Sequence, residues 1–139
     1  MHVQSYLFFD GRCDEAIAFY QQALNATVNM RMTFAQNPEK PSADCMAPNQ
    51  TGDKVMHACI RIGQTDVMLS DGRCEGQPKF EGIALSLAVK DAAEATARFN
   101  ALLEGGGVPT MPMMATFFSK AFGMVRDRFG VQWMVMAEG

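Results

Sequence analysis

The sequence predicts an α+β fold: two tandem βαβββ modules forming a curved, mixed sheet with helices on the outer face. Three observations predict it. Residues 6–24, YLFFDGRCDEAIAFYQQAL, run as apolar strand, glycine break and amphipathic helix. Residues 85–103, LSLAVKDAAEATARFNALL, repeat that order, pairing Phe8 with Leu87, Glu15 with Glu94, Ala16 with Ala95, Tyr20 with Phe99 and Leu24 with Leu103. The halves also end alike, in residues 63–69 and 130–136. One such module leaves a sheet face bare, and a second copy can cover it.

The first module spans about 1–75. Its opening strand covers about 3–9 and breaks at Gly11. A helix covers about 13–24, because Ala16, Ile17, Tyr20, Ala23 and Leu24 fall on one stripe. Asp14 and Glu15 lie in its first turn, where negative charge complements the dipole. A strand follows at about 26–34. Residues 35–54 are polar and hold Pro38, Pro41 and Pro48, which predicts a long surface loop, either an insertion or a lid. Strands resume at 55–62 and 66–70. The second module, about 76–139, opens with a strand at 83–89. Asp91 and Glu94 have capping-box spacing for a helix over 91–104. Gly105, Gly106 and Gly107 stop that helix. A strand at 108–114, an aromatic loop around 116–118 and a hairpin of 121–127 and 131–137 complete the module.

The chain has 139 residues, 48% of them hydrophobic, enough for one domain with a real core. Net charge is −3 and no basic cluster occurs, so no nucleic-acid partner is expected. No apolar run approaches the roughly 20 residues of a membrane span, so no membrane partner is expected either. The start, MHVQSYLFF, carries neither a basic n-region nor a cleavage pattern. Cys13, Cys45, Cys59 and Cys74 are irregularly spaced, which suits reduced thiols in a cytoplasmic protein.

Strand alternation splits each strand into two faces. Tyr6 and Phe8, Val67 and Leu69, Ile83, Leu85, Leu87 and Val89, and Val131, Trp133 and Val135 are expected under the helices. Trp133 therefore reads as core. The opposite faces present Ser5, Leu7 and Phe9; His57, Cys59 and Arg61; Asp66, Met68 and Ser70; Gly82, Ala84, Ser86 and Ala88; and Gln132, Met134 and Met136. Small, polar and methionine residues suit a cavity wall, with methionine giving adaptable apolar contact. His57 and Arg61 share a face that could hold a polar or anionic group, with Asp66 and Ser70 adding hydrogen bonds. Phe117 and Phe118 are placed to cap the cavity, and Lys120 reads as surface charge.

The element order, the repeat and the phrases DEAIAFYQQAL, FEGIALSLAV and VRDRFGVQWMV resemble the vicinal oxygen chelate (glyoxalase/bleomycin resistance/dioxygenase) superfamily over essentially the whole chain. The closing DxFGVxW is the most diagnostic piece. The chain is most similar to the PhnB-like branch, which carries a demethylubiquinone methyltransferase-like label. The resemblance implies a glyoxalase-like fold and a homodimer. It also implies metal ligands on strands one, four, five and eight, positions that fall here at Ser5, Met68 (or Val67), Gly82 and Met134. None of these is a ligand for a hard or borderline divalent ion. The only histidines are His2, near the N-terminus, and His57.

Other chemistries gain no support. The glycine run closes a helix, the wrong end for phosphate or carboxylate. No nucleophile-elbow motif surrounds Ser70 or Ser86. Cys13 lies in a first helical turn, where a thiol pKa can fall, but a packed helix start is the plainer account. The expected function is therefore small-molecule binding in a cavity between the modules, with no cofactor and no metal. The pocket candidates are Ser5, His57, Arg61, Met68, Ser70, Ser86, Phe118, Gln132 and Met134. Two other readings stay open: an enzyme of unknown, lyase- or isomerase-like reaction using His57, and a dimeric scaffold with a plugged cavity.

Overall fold

Two similar modules form as expected, each building its own four-stranded mixed sheet. The computed structural model describes residues 1–36, 52–72 and 77–138. Most of the expected loop 35–54, together with Cys45 and Cys74, lies outside the described residues. The chain divides into two units, Met1–Pro78 and Lys79–Gly139.

The first unit runs β1 (Tyr6–Phe8), α1 (Cys13–Leu24), β2 (Thr27–Thr33), a 3-10 turn (Phe34–Gln36), β3 (Val55–Ile62) and β4 (Thr65–Ser70). Its strand order is β1-β4-β3-β2, with β1 parallel to β4 and the remaining pairs antiparallel. The second unit repeats this as β5 (Leu85–Val89), α2 (Ala92–Leu103), β6 (Val108–Met114), β7 (Phe122–Arg126) and β8 (Gln132–Ala137), in the order β5-β8-β7-β6.

Helix α1 matches its expected bounds and buries Ala16, Ile17, Tyr20, Ala23 and Leu24. Arg12, at its start, supplies no side-chain cap. Asp71, just past β4, does so instead, accepting from the Gly11 N–H at 2.6 Å and the Cys13 N–H at 3.0 Å. Asn25 ends the helix in the left-handed region at φ 55°.

In α2 half of the expected capping box forms. Asp91 accepts from the Glu94 N–H at 2.8 Å, while the Glu94 side chain reaches forward to Arg98 at 3.6 Å. The glycine run ends the helix as expected. Gly105 and Gly106 take φ of 80° and 113°, conformations that L side chains resist. Arg128 packs on Gly105 and donates to the Glu104 carbonyl at 3.2 Å, satisfying an end-of-helix acceptor.

Each helix covers one face of its own sheet. Under α1 lie Leu7, Phe9, Ala58, Ile60, Val67 and Leu69; under α2 lie Val89, Val125, Trp133 and Val135, all buried. Gly123 on β7 lets α2 approach, since a side chain there would strike the Phe99 ring. Trp133 is core, as expected.

Two face assignments are corrected. In β1, Leu7 and Phe9 are buried, while Tyr6 is 38% exposed and Phe8 half-buried, the reverse of the expectation. The cause is one residue. Three residues (Asp10, Gly11, Arg12) separate Phe9 from α1, but two (Lys90, Asp91) separate Val89 from α2. Aligning the helices therefore slips β1 by one position, and a one-residue slip exchanges the two faces of a strand. Ile83 lies ahead of β5 and is 60% exposed, so it does not pack under α2.

Candidate functional site

The face of each sheet away from its helix carries most of the expected site residues. On the first sheet, strand partners set out two rows. Met30 pairs with Cys59, Cys59 with Met68, and Met68 with Tyr6. In the next row Met32 pairs with His57, and Ser70 with Phe8. Across these rows Tyr6 Oη lies 2.8 Å from His57 Nδ1, and the Tyr6 ring sits against both Phe8 and His57. Burial pushes the Tyr6 phenol up, so it keeps its proton. Phenol and imidazole can share their hydrogen bond in either direction, depending on the imidazole tautomer.

The other candidates on this unit have different occupations. Ser5 precedes β1 and falls, by alternation, on the helix side with Leu7, not on the His57 face. Arg61 is held by its own hairpin, donating to Asp66 at 2.9 Å and to the Gln64 carbonyl at 3.1 Å. Asn29 donates to the same Asp66 oxygen at 3.2 Å. Arg61 and His57 share a face of β3 as expected, with Arg61 braced across its own hairpin. Ser70 is buried, donates to the Met56 carbonyl and accepts from the Gly72 N–H at 2.7 Å. Its hydroxyl also interacts with the Tyr6 phenol.

On the second sheet the corresponding row is Met111, Met124, Met134 and Ser86, each a strand partner of the next. Ser86 is exposed. Gln132 donates to the Phe80 carbonyl at 2.6 Å, which fixes the chain ahead of β5. Phe118 meets Phe117 and Phe122 edge-on, with ring centroids 5.1 Å apart in both pairs. The turn that presents the two exposed rings is tied by Thr116, whose hydroxyl accepts from the Phe118 and Ser119 N–H groups. These rings line a surface cleft of about 350 Å³ with Thr116, Ser119, Lys120 and Ala137. Gly82 lies ahead of β5 with φ 76°, so Ser86 rather than Gly82 stands beside Met134.

Sequence reasoning missed the Tyr6 phenol as the partner of His57. The signal was the unequal spacing between strand and helix in the two modules. Cys13 is buried at the start of α1, in line with a packed helix start. Burial, with the Asp71 and Asp14 charges adding to it, pushes its thiol far above the usual range.

Comparison with known proteins places this geometry. The model of the 3-demethylubiquinone-9 3-methyltransferase family, which is PhnB-like, matches residues 1–136. The chain belongs to that family. This PhnB-like chain is 33% identical over 139 residues to Protein YjdN of Escherichia coli (strain K12), covering 97% of this chain and 94% of that one. It is 39% identical to protein PA1353 from Pseudomonas aeruginosa, with a TM-score of 0.83 over 99% of this chain and 98% of that one. A PhnB protein from Bacillus cereus superposes with a TM-score of 0.79 at 22% identity, over 99% of this chain and 100% of that one. A glyoxylase/bleomycin resistance protein/dioxygenase domain from Frankia sp. EAN1pec shares the fold, with a TM-score of 0.68 at 19% identity over 99% and 95% of the two chains. The fold is thus glyoxalase-like.

The PhnB-like chain can be tested against the groups its relatives suggest. In β1–β4 the strand partners facing away from the helix are Tyr6 with Met68 and Phe8 with Ser70; in β5–β8 they are Ser86 with Met134 and Ala88 with Met136. Taken within either unit, phenol, thioether and hydroxyl groups do not fit a hard divalent ion. Among the described residues, no three His, Cys, Asp or Glu side chains are grouped to hold one. A nucleotide-type methyl donor fares no better at the helix N-termini, where anionic groups bind. Carboxylates of the chain itself already take those N–H groups, Asp71 at α1 and Asp91 at α2. Among the described residues, no helix is long and apolar enough to cross a membrane.

Proposed function

We propose that this PhnB-like protein binds a small, largely apolar molecule against the methionine-rich sheet faces, without the divalent ion of the fold's metalloenzymes. The observation that carries the reading is the residue set of those faces. Met30, Met32 and Met68 stand on the first sheet, and Met111, Met124, Met134 and Met136 on the second. Unbranched, polarizable thioethers mould to an irregular apolar ligand, and aromatic neighbours such as Tyr6 and Phe8 add flat surface. One polar anchor, the Tyr6–His57 pair, supplies orientation. The proposal includes a homodimer.

The neutral dye Nile red tests the reading. Bound to the full chain, it should show the blue-shifted emission of an apolar site. Met68→Arg should weaken that binding about tenfold or more, since it replaces apolar contact with a charge that must be desolvated. The thermal transition should persist, because Met68 lies on the face away from the α1 core. Undiminished dye binding by a folded Met68→Arg variant would sink the proposal for this face.

A further inference from the structure

The first sheet carries a row of three sulfurs. Met30, Cys59 and Met68 occupy partner positions on β2, β3 and β4, on one face. Direct partners in an antiparallel sheet hold their Cβ atoms about 4.5–5.5 Å apart, which puts neighbouring side chains within reach of one another. Cys59 is a half-buried free thiol. His57 stands two residues from it on the same face of β3, and its Nδ1 is taken by the Tyr6 hydroxyl at 2.8 Å. With the proton on Nδ1 and donated to Tyr6, Nε2 keeps its lone pair as a donor, the arrangement that supports imidazole ligands in metal sites.

We propose that this row is a binding site for a soft monovalent cation of the Cu(I) class, held by Cys59 Sγ and the Met30 and Met68 thioethers, with His57 beside them. Thiolate and thioether donors favour Cu(I), whereas the same set is poor for magnesium, calcium or manganese. Binding converts the Cys59 thiol to a thiolate and releases its proton to solvent, with no change of oxidation state. The row of the second sheet, Met111, Met124 and Met134, repeats the geometry with three thioethers and no thiol, so the first row is the tighter. The inference does not rest on the binding of an organic molecule, since the cation alone is the ligand.

The test is titration of the reduced full chain with Cu(I) against the chelator bicinchoninate. The parent should withhold one Cu(I) per chain. Removing a supporting partner of a metal site costs about 10–100-fold in affinity, and losing a ligand should cost at least as much. Cys59→Ala and, separately, Met30→Leu/Met68→Leu should therefore each weaken binding about tenfold or more. The leucine pair keeps apolar volume, so it should retain the parent's circular dichroism and thermal transition. A parent that yields all Cu(I) to the chelator overturns the proposal. So does a leucine pair with undiminished affinity, which would leave a thiol acting alone.

Discussion

Two buried carboxylates hold backbone in place. Asp71 is fully buried and accepts from three N–H groups: Gly11, Cys13 and, at 3.0 Å, Val55. It thereby ties the β1–α1 turn to the start of β3. Asp127 accepts from the Phe129 and Val131 N–H groups and, at 2.9 Å, from the Trp133 indole. The phrase DxFGVxW is in physical terms a carboxylate-held turn with a core tryptophan. Asp71→Asn would keep one acceptor oxygen where two now serve, turning an amide toward an N–H. A buried polar group left without its partner costs about 1–3 kcal/mol. The variant should lower the urea midpoint accordingly, and an unchanged midpoint would refute the role given to Asp71.

Among the elements, both helices and their stripes were legible because a 3.6-residue period over 12 residues admits one burial solution. Strand β1, at three residues, was too short to show its own face. Its assignment was borrowed from the helix alignment and inherited that alignment's one-residue error. The corrected register changes which residues belong together at the vacated ligand positions. Ser86 and Met134 are strand partners on one face, whereas Gly82 lies off the strand. Ser86→His/Met134→Glu should therefore install two donors side by side and raise Zn(II) affinity about tenfold or more over the parent. Isothermal titration reads this directly, and no gain would show that the register does not bring these side chains together.

For the molecule as a whole, two of the four edge strands, β2 and β6, bear on the proposed homodimer. Strand β6 carries Pro109 and Pro112, which lack the N–H that edge-to-edge pairing needs. It also exposes Val108, Met111 and Met114. Such an edge favours association through side chains over extension of the sheet. The parent should sediment at twice the 15.2 kDa chain mass, and Val108→Lys/Met114→Lys should shift it toward monomer. A parent that stays at 15.2 kDa at tens of micromolar would remove the dimer from the proposal.

The sequence alone determined the repeated βαβββ order, the two helices with their buried stripes, the glycine stop after α2 and the core role of Trp133. All of these follow from local periodicity and turn chemistry. The family resemblance, not the residues alone, suggested metal-ligand positions at Ser5, Met68 (or Val67), Gly82 and Met134. Only the tertiary structure decided the partners. Tyr6 on His57, Asp66 on Arg61 and Asp71 on the α1 start join residues far apart in the chain or in an unforeseen register. Their pairing is set by which strands lie side by side and by one extra residue in the first β–α turn. No period along the chain encodes either.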